Sequence, residues 1–188
     1  MRRQRVLALG GVALLTGALA WLLFAALPRW YVRTPINSTA AVAPAASGRK
    51  IKARLYYLSQ DGTRLTGVER DVPYGEGAAD QAREIVIAQV APVVEPLVST
   101  VPPGTTLRSL FLTSGGAAYV DLSSSVATAH TGGTLDELLT VYTIVNVLTT
   151  NLPAVTAVQL LVNGKEVPTL SGHVDLRRPL AKNLAWVQ

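Results

Sequence analysis

From Arg49 onward, polar and apolar positions fall into short patterned segments. Across residues 50–59, Ile51, Ala53, Leu55 and Tyr57 alternate with their neighbours, and the run ends at Gln60-Asp61-Gly62. That pattern predicts a strand leading into a turn. Residues 65–73 form a second strand candidate with less regular alternation. Residues 78–91 carry a helical pattern that Pro92 stops, although the branched trio Ile85-Val86-Ile87 lowers its helical preference. After the rigid turn Pro102-Pro103-Gly104, the β-prone runs 106–113 and 117–123 flank Ser114-Gly115-Gly116 and predict a hairpin.

The next segment has the clearest helical spacing in the chain. Leu138, Tyr142, Val145, Leu148 and Leu152 recur at intervals of three and four, which predicts one apolar face running up to Pro153. Thr134 and Glu137 have the spacing of a capping box, in which each side chain bonds a terminal N–H of the helix. Residues 155–162 and 166–170 then flank Asn163-Gly164, a pair suited to the positive backbone angles of a tight hairpin turn. Together these segments predict an α+β fold: a mixed sheet with two helices on one face.

The first part of the chain has a different pattern. Residues 6–27, beginning at Val6 and ending at Leu27, carry no charge and are dominated by Leu, Ala and Val. A helix of that length rises about 33 Å, enough to cross a hydrocarbon core about 30 Å thick. Trp30 and Tyr31, with Arg29 and Arg33, supply interfacial anchors. A cleaved signal peptide is the competing reading, because Ala18-Leu19-Ala20 resembles a cleavage site. The apolar run continues well past that site, so an uncleaved signal anchor is expected. Residues 1–5 are then a cytoplasmic stub, 28–48 a juxtamembrane segment and Ala/Pro/Ser-rich linker, and 49–188 a single domain outside the cell membrane.

Charge changes one inference. The sequence has a net charge of +5, but residues 1–54 hold nine Lys or Arg and no acid, while residues 55–188 carry −4. The basic balance belongs to the flanks of the apolar segment, so no nucleic-acid partner is expected. With no cysteine in the chain, a disulfide framework, a thiol nucleophile and a lipidated cysteine are all excluded.

The punctuation of the patterned region resembles the GerMN domain of the sporulation and spore germination family. The matching stretches are Pro102-Pro103-Gly104-Thr105, Tyr119-Val120-Asp121-Leu122-Ser123, and Glu137-Leu138-Leu139-Thr140-Val141-Tyr142 continuing to Asn146. Leu161-Val162-Asn163-Gly164-Lys165-Glu166-Val167 and Gly172-His173-Val174-Asp175 complete the set, which extends from about Arg49 to Pro179. The resemblance implies a compact α+β module on the outer face of the membrane, without a catalytic mechanism. Some relatives carry two copies in tandem, whereas this chain carries one.

Five polar residues are candidate contact positions. His173 and Asp175 stand two apart and could form an acid/base or metal pair, but the only other histidine is His130, in a Thr/Gly loop. A turn histidine bonded to backbone fits better. Asp121 closes a predicted strand and suits an aspartate that bonds its own turn, although it could pair with Asp175. Tyr142 and Asn146, four apart, share one side of the second helix. Ser123-Ser124-Ser125 lies near His130 but lacks the G-x-S-x-G pattern of a nucleophile elbow. Neither an enzyme nor a cofactor nor a metal is expected. The reading is a binding or scaffolding module that recruits another envelope protein or a second copy of its domain. The alternative is a cell-wall hydrolase or wall-binding accessory, against which stands the lack of tryptophans for a sugar platform: only Trp186 lies in the domain.

Overall fold

The alternation that begins at Ile51 does build a strand, and a second strand returns alongside it. In the computed structural model, which describes Trp21 and residues 48–188, β1 (Lys50–Leu58) pairs antiparallel with β2 (Leu65–Pro73) in unbroken register from Lys50↔Pro73 to Leu58↔Leu65. Helix α1 (Ala78–Val90) follows, then the hairpin of β3 (Leu107–Leu112) and β4 (Ala117–Leu122). A one-turn helix α2 (Ser125–Thr128) leads to the long helix α3 (Thr134–Asn151). The chain ends in β5 (Ala157–Val162), β6 (Lys165–Glu166) and β7 (Leu180–Ala181).

The fold is α+β, but the strands do not form one sheet. β1 and β2 stand apart as a two-stranded ribbon, and the remaining five strands form a mixed sheet in the order β3-β4-β5-β6, with β7 also on β5. Within this sheet β4 and β5 pair in parallel, as expected for two strands joined through helices, and the other neighbours pair antiparallel. Within residues 48–188 there are three helices, not the two expected, because Ser125–Thr128 coils into a turn of helix.

Alternation along the larger sheet sorts its side chains. Leu110, Ala118, Val120, Leu122, Val158 and Leu160 are buried in the core. Phe111 and Tyr119, directly paired across β3 and β4, share the opposite face, and Phe111 is 62% exposed. α1 packs against β1, β2 and β3, while α3 packs against α1, β1, β5 and β7. α3 is therefore enclosed, and the single apolar face expected for it is too narrow. Leu139, Val141, Ile144 and Val147 are as buried as Val145 and Leu148. Enclosure by the ribbon on one side and the sheet on another accounts for a helix that is apolar around most of its circumference.

The expected capping box does not form. Gly133, with φ +94°, occupies the cap position of α3, Thr134 is already helical, and no side chain caps the end. The Glu137 carboxylate is used elsewhere. The Asn163-Gly164 turn is as predicted, with φ of 52° and 76°, both left-handed. The apolar run after it does not continue as a strand beyond Glu166. Among the described residues no helix is long and apolar enough to cross a membrane; apart from Trp21, the predicted span at residues 6–27 lies outside them.

Candidate functional site

The polar residues singled out from the sequence do not converge. Asp121, at the end of β4, is 5% exposed; it accepts the Gly164 N–H at 2.7 Å and faces the Arg108 guanidinium at 3.4 Å. It thus ties the Asn163-Gly164 turn to its own strand. Arg108 lies where the register between β3 and β4 shifts, and also donates to Asn163 Oδ1 at 2.7 Å.

Asp175 is on the surface and pairs with Arg177, not with Asp121. Its two carboxylate oxygens accept from Arg177 Nε and Nη2, each at 2.9 Å. That side-chain bonding, with the Arg177 N–H, lowers its pKa to about 2. Asn146 is fully buried and brackets the backbone of Asn183, donating to its C=O at 2.7 Å and accepting its N–H at 3.0 Å. Tyr142 packs half-buried against the core, and Asn146 has its bonds to Asn183 instead.

His173 is engaged by Glu137, the residue whose importance the sequence concealed. Glu137 is wholly buried. Its Oε1 accepts the Leu170 N–H at 2.8 Å, and its Oε2 accepts the His173 N–H at 2.7 Å with the His173 ring Nδ1 at 3.1 Å. Burial alone would raise the Glu137 pKa, but N–H groups of Ser171, His173, Leu170 and Val174 together hold it below its ordinary value. A carboxylate from the first turn of α3 thereby fastens the 170–174 loop. Nothing local in the sequence marks this use, because the donors arrive more than thirty residues later.

His130, set aside in the sequence as a loop residue, lines a cleft of about 230 Å³ with Thr100, Pro102, Pro103, Asp136 and Thr140. Its Nδ1 accepts the Gly132 N–H at 3.1 Å, so the proton sits on Nε2, 3.3 Å from Thr140 Oγ1. The Thr140 hydroxyl in turn donates to the Thr100 carbonyl at 2.6 Å. The ring is spent on closing its loop and on the Thr140 hydroxyl. Among the described residues no three His, Asp or Glu side chains gather in a way that could hold a metal ion.

The geometry can be set beside known proteins. No curated protein matches the chain. Among solved structures, a candidate lipoprotein from Clostridium perfringens superimposes with a TM-score of 0.50 at 20% identity, over 71% of this chain and 88% of that one. The tandem GerMN domains of the sporulation protein GerM from Bacillus subtilis superimpose with a TM-score of 0.55 at 18% identity, over 71% of this chain. The match spans 46% of that tandem structure, about half its length. The family model described as Sporulation and spore germination matches residues 54–168, from the middle of β1 to just beyond β6. The chain belongs to the sporulation and spore germination family, and residues 54–168 are its GerMN domain.

Proposed function

We propose that this protein is a binding or scaffolding module held on the outer face of the cell membrane by a single N-terminal span at residues 6–27, and that it recruits another envelope protein without catalysing a reaction. The observation that carries the reading is where the reactive side chains are spent. Glu137, Asp121 and Asn146 each hold a backbone segment of the domain itself, and both nitrogens of His130 are engaged internally. Such groups maintain a shape, and the carboxylates of Glu137 and Asp121 are committed to backbone N–H groups of the domain itself. Family membership and the fold shared with a candidate lipoprotein support a place at the membrane surface.

The test compares binding with turnover. Full-length protein in native membranes, carrying a photo-activated crosslinker at Thr66 or at Phe111, is expected to yield a reproducible adduct with one envelope protein. Purified cell wall incubated with the same membranes should release no soluble fragments. Release of wall fragments that depended on the protein would replace this reading with the hydrolase.

A further inference from the structure

The geometry points to the outer edge of β2 as a docking site for an extended segment of a partner protein, one that alternates apolar residues with Lys or Arg and adds to the ribbon as a third strand. This deepens the binding-module reading and rests on it.

The two edges of the ribbon are treated differently. On β1, the residues whose backbone turns away from β2 are closed one after another. Arg54 is bracketed by the Asn151 side chain, Tyr56 by the Gln89 side chain, and the Leu58 N–H donates to Val98 at 2.9 Å. On β2, the outward positions are fixed by Leu65, whose N–H donates to the Trp186 C=O at 2.7 Å and whose C=O accepts the Gln188 N–H at 3.0 Å. Outward positions then recur at every second residue. At the far end, the Pro73 C=O accepts from Gln81 Nε2 at 3.1 Å. Between these ends the N–H and C=O groups of Gly67, Glu69 and Asp71 have no partner among the described residues. An unpaired row of this kind is a template for another strand.

A second observation says what the strand would carry. Beside this edge lies a cleft of about 480 Å³ that combines the apolar Leu58, Val68, Pro96 and Leu97 with the polar Gln60, Asp61 and Gln188. Thr66 and Val68 belong to β2 and lie on the face opposite Glu69 and Asp71, so a third strand would send alternate side chains into the cleft. Against Val68, Pro96 and Leu97 those side chains should be apolar. The residues directly opposite Glu69 and Asp71 would share their exposed face. Asp71 already pairs with Lys52 at 2.7 Å on its inner flank, and a Lys or Arg on its outer flank extends that alternation. A second copy fits this edge badly, because an antiparallel self-pairing centred on the open stretch, at Glu69 or between Glu69 and Asp71, sets acids against acids.

The experiment uses the full-length chain in neutral detergent and three synthetic peptides. The first is Thr-Val-Lys-Val-Lys-Val, the second replaces Lys by Glu, and the third is the first with alternate backbone nitrogens methylated to block pairing. Hydrogen exchange should slow at least tenfold at Gly67, Glu69 and Asp71 with the first peptide and at none of them with the third. Glu69→Pro removes an outward N–H that bonds nothing within the domain and should weaken binding at least tenfold. Should that variant fold poorly, Glu69→Lys carries the test by shifting preference toward the Glu peptide. Equal binding of the methylated peptide, protection confined to other segments, or no saturable binding of any peptide overturns the inference. The crosslinking above separates the two ideas: adducts from Phe111 alone spare the binding module and remove this edge, whereas none from either position removes both.

Discussion

Asn151, the last residue of α3, and Arg54, in the middle of β1, are joined by two hydrogen bonds across 97 residues of sequence. The Asn151 amide accepts the Arg54 N–H at 2.8 Å and donates to the Arg54 C=O at 2.9 Å, as a neighbouring strand would. Two residues along β1, Gln89 of α1 does the same for Tyr56, accepting at 2.8 Å and donating at 2.7 Å.

The two brackets should differ in strength because they differ in burial. Gln89 is fully buried, so Gln89→Ala strands both backbone groups of Tyr56 away from water and should cost about 2–4 kcal/mol. Asn151→Ala, at a site where water can replace the amide, should cost about 1 kcal/mol or less. Urea denaturation of the folded region measures both. Equal losses would show that burial does not set the cost.

Glu137 gives the domain an acid-sensitive fastening. Its folded pKa lies below the unfolded one, so its contribution is fully present above the ordinary carboxylate value, about 4, and is lost as pH falls through the lowered value. Glu137→Gln should cost about 1–3 kcal/mol near neutral pH and lose less further stability on acidification than the parent. Denaturation curves between pH 3 and pH 7 check this; parallel pH profiles for the two proteins would remove Glu137 from the account.

His173→Ala should be mild. The backbone N–H of His173 supplies the shorter bond to Glu137 and survives the substitution; only the ring contact at 3.1 Å is lost. A loss of about 0.5–1 kcal/mol is expected, and partner binding should follow stability. A stable variant that had lost a defined turnover would make His173 catalytic and the binding module an error.

Anchoring is tested on the whole chain. It should sediment with membranes, resist high salt and carbonate, and dissolve in detergent. N-terminal sequencing should begin at the start of the chain; a terminus at Trp21 would instead identify a secreted product cut after Ala20.

Local chemistry made some of this legible before the fold was known. Asn163-Gly164 announced its turn because few other pairs accept two left-handed residues, and β2 and α1 began where their patterns began. What stayed hidden depends on distant partners. Glu137 looked like a cap because four residues are all a capping box needs, while its true donors lie at 170–174. Asp121 and Asn146 were visible as polar positions, yet Gly164 and Asn183, which they hold, were not. The separation of β1 and β2 from the other strands was equally unreadable, because alternation identifies a strand without naming its neighbour.

The brackets on β1 also govern how the domain bears load. β1 is the first element after Gly48, so any tension carried by the preceding chain enters the fold there. On one edge it meets nine paired positions of β2, and on the other Asn151 and Gln89, which hand the pull directly to α3 and α1. Parting β1 lengthwise requires many of these bonds to yield together, where peeling a free strand would break them in turn. The side-chain amides therefore spread a pull over the ribbon and both long helices, so that tension entering at β1 is resisted by the core of the domain.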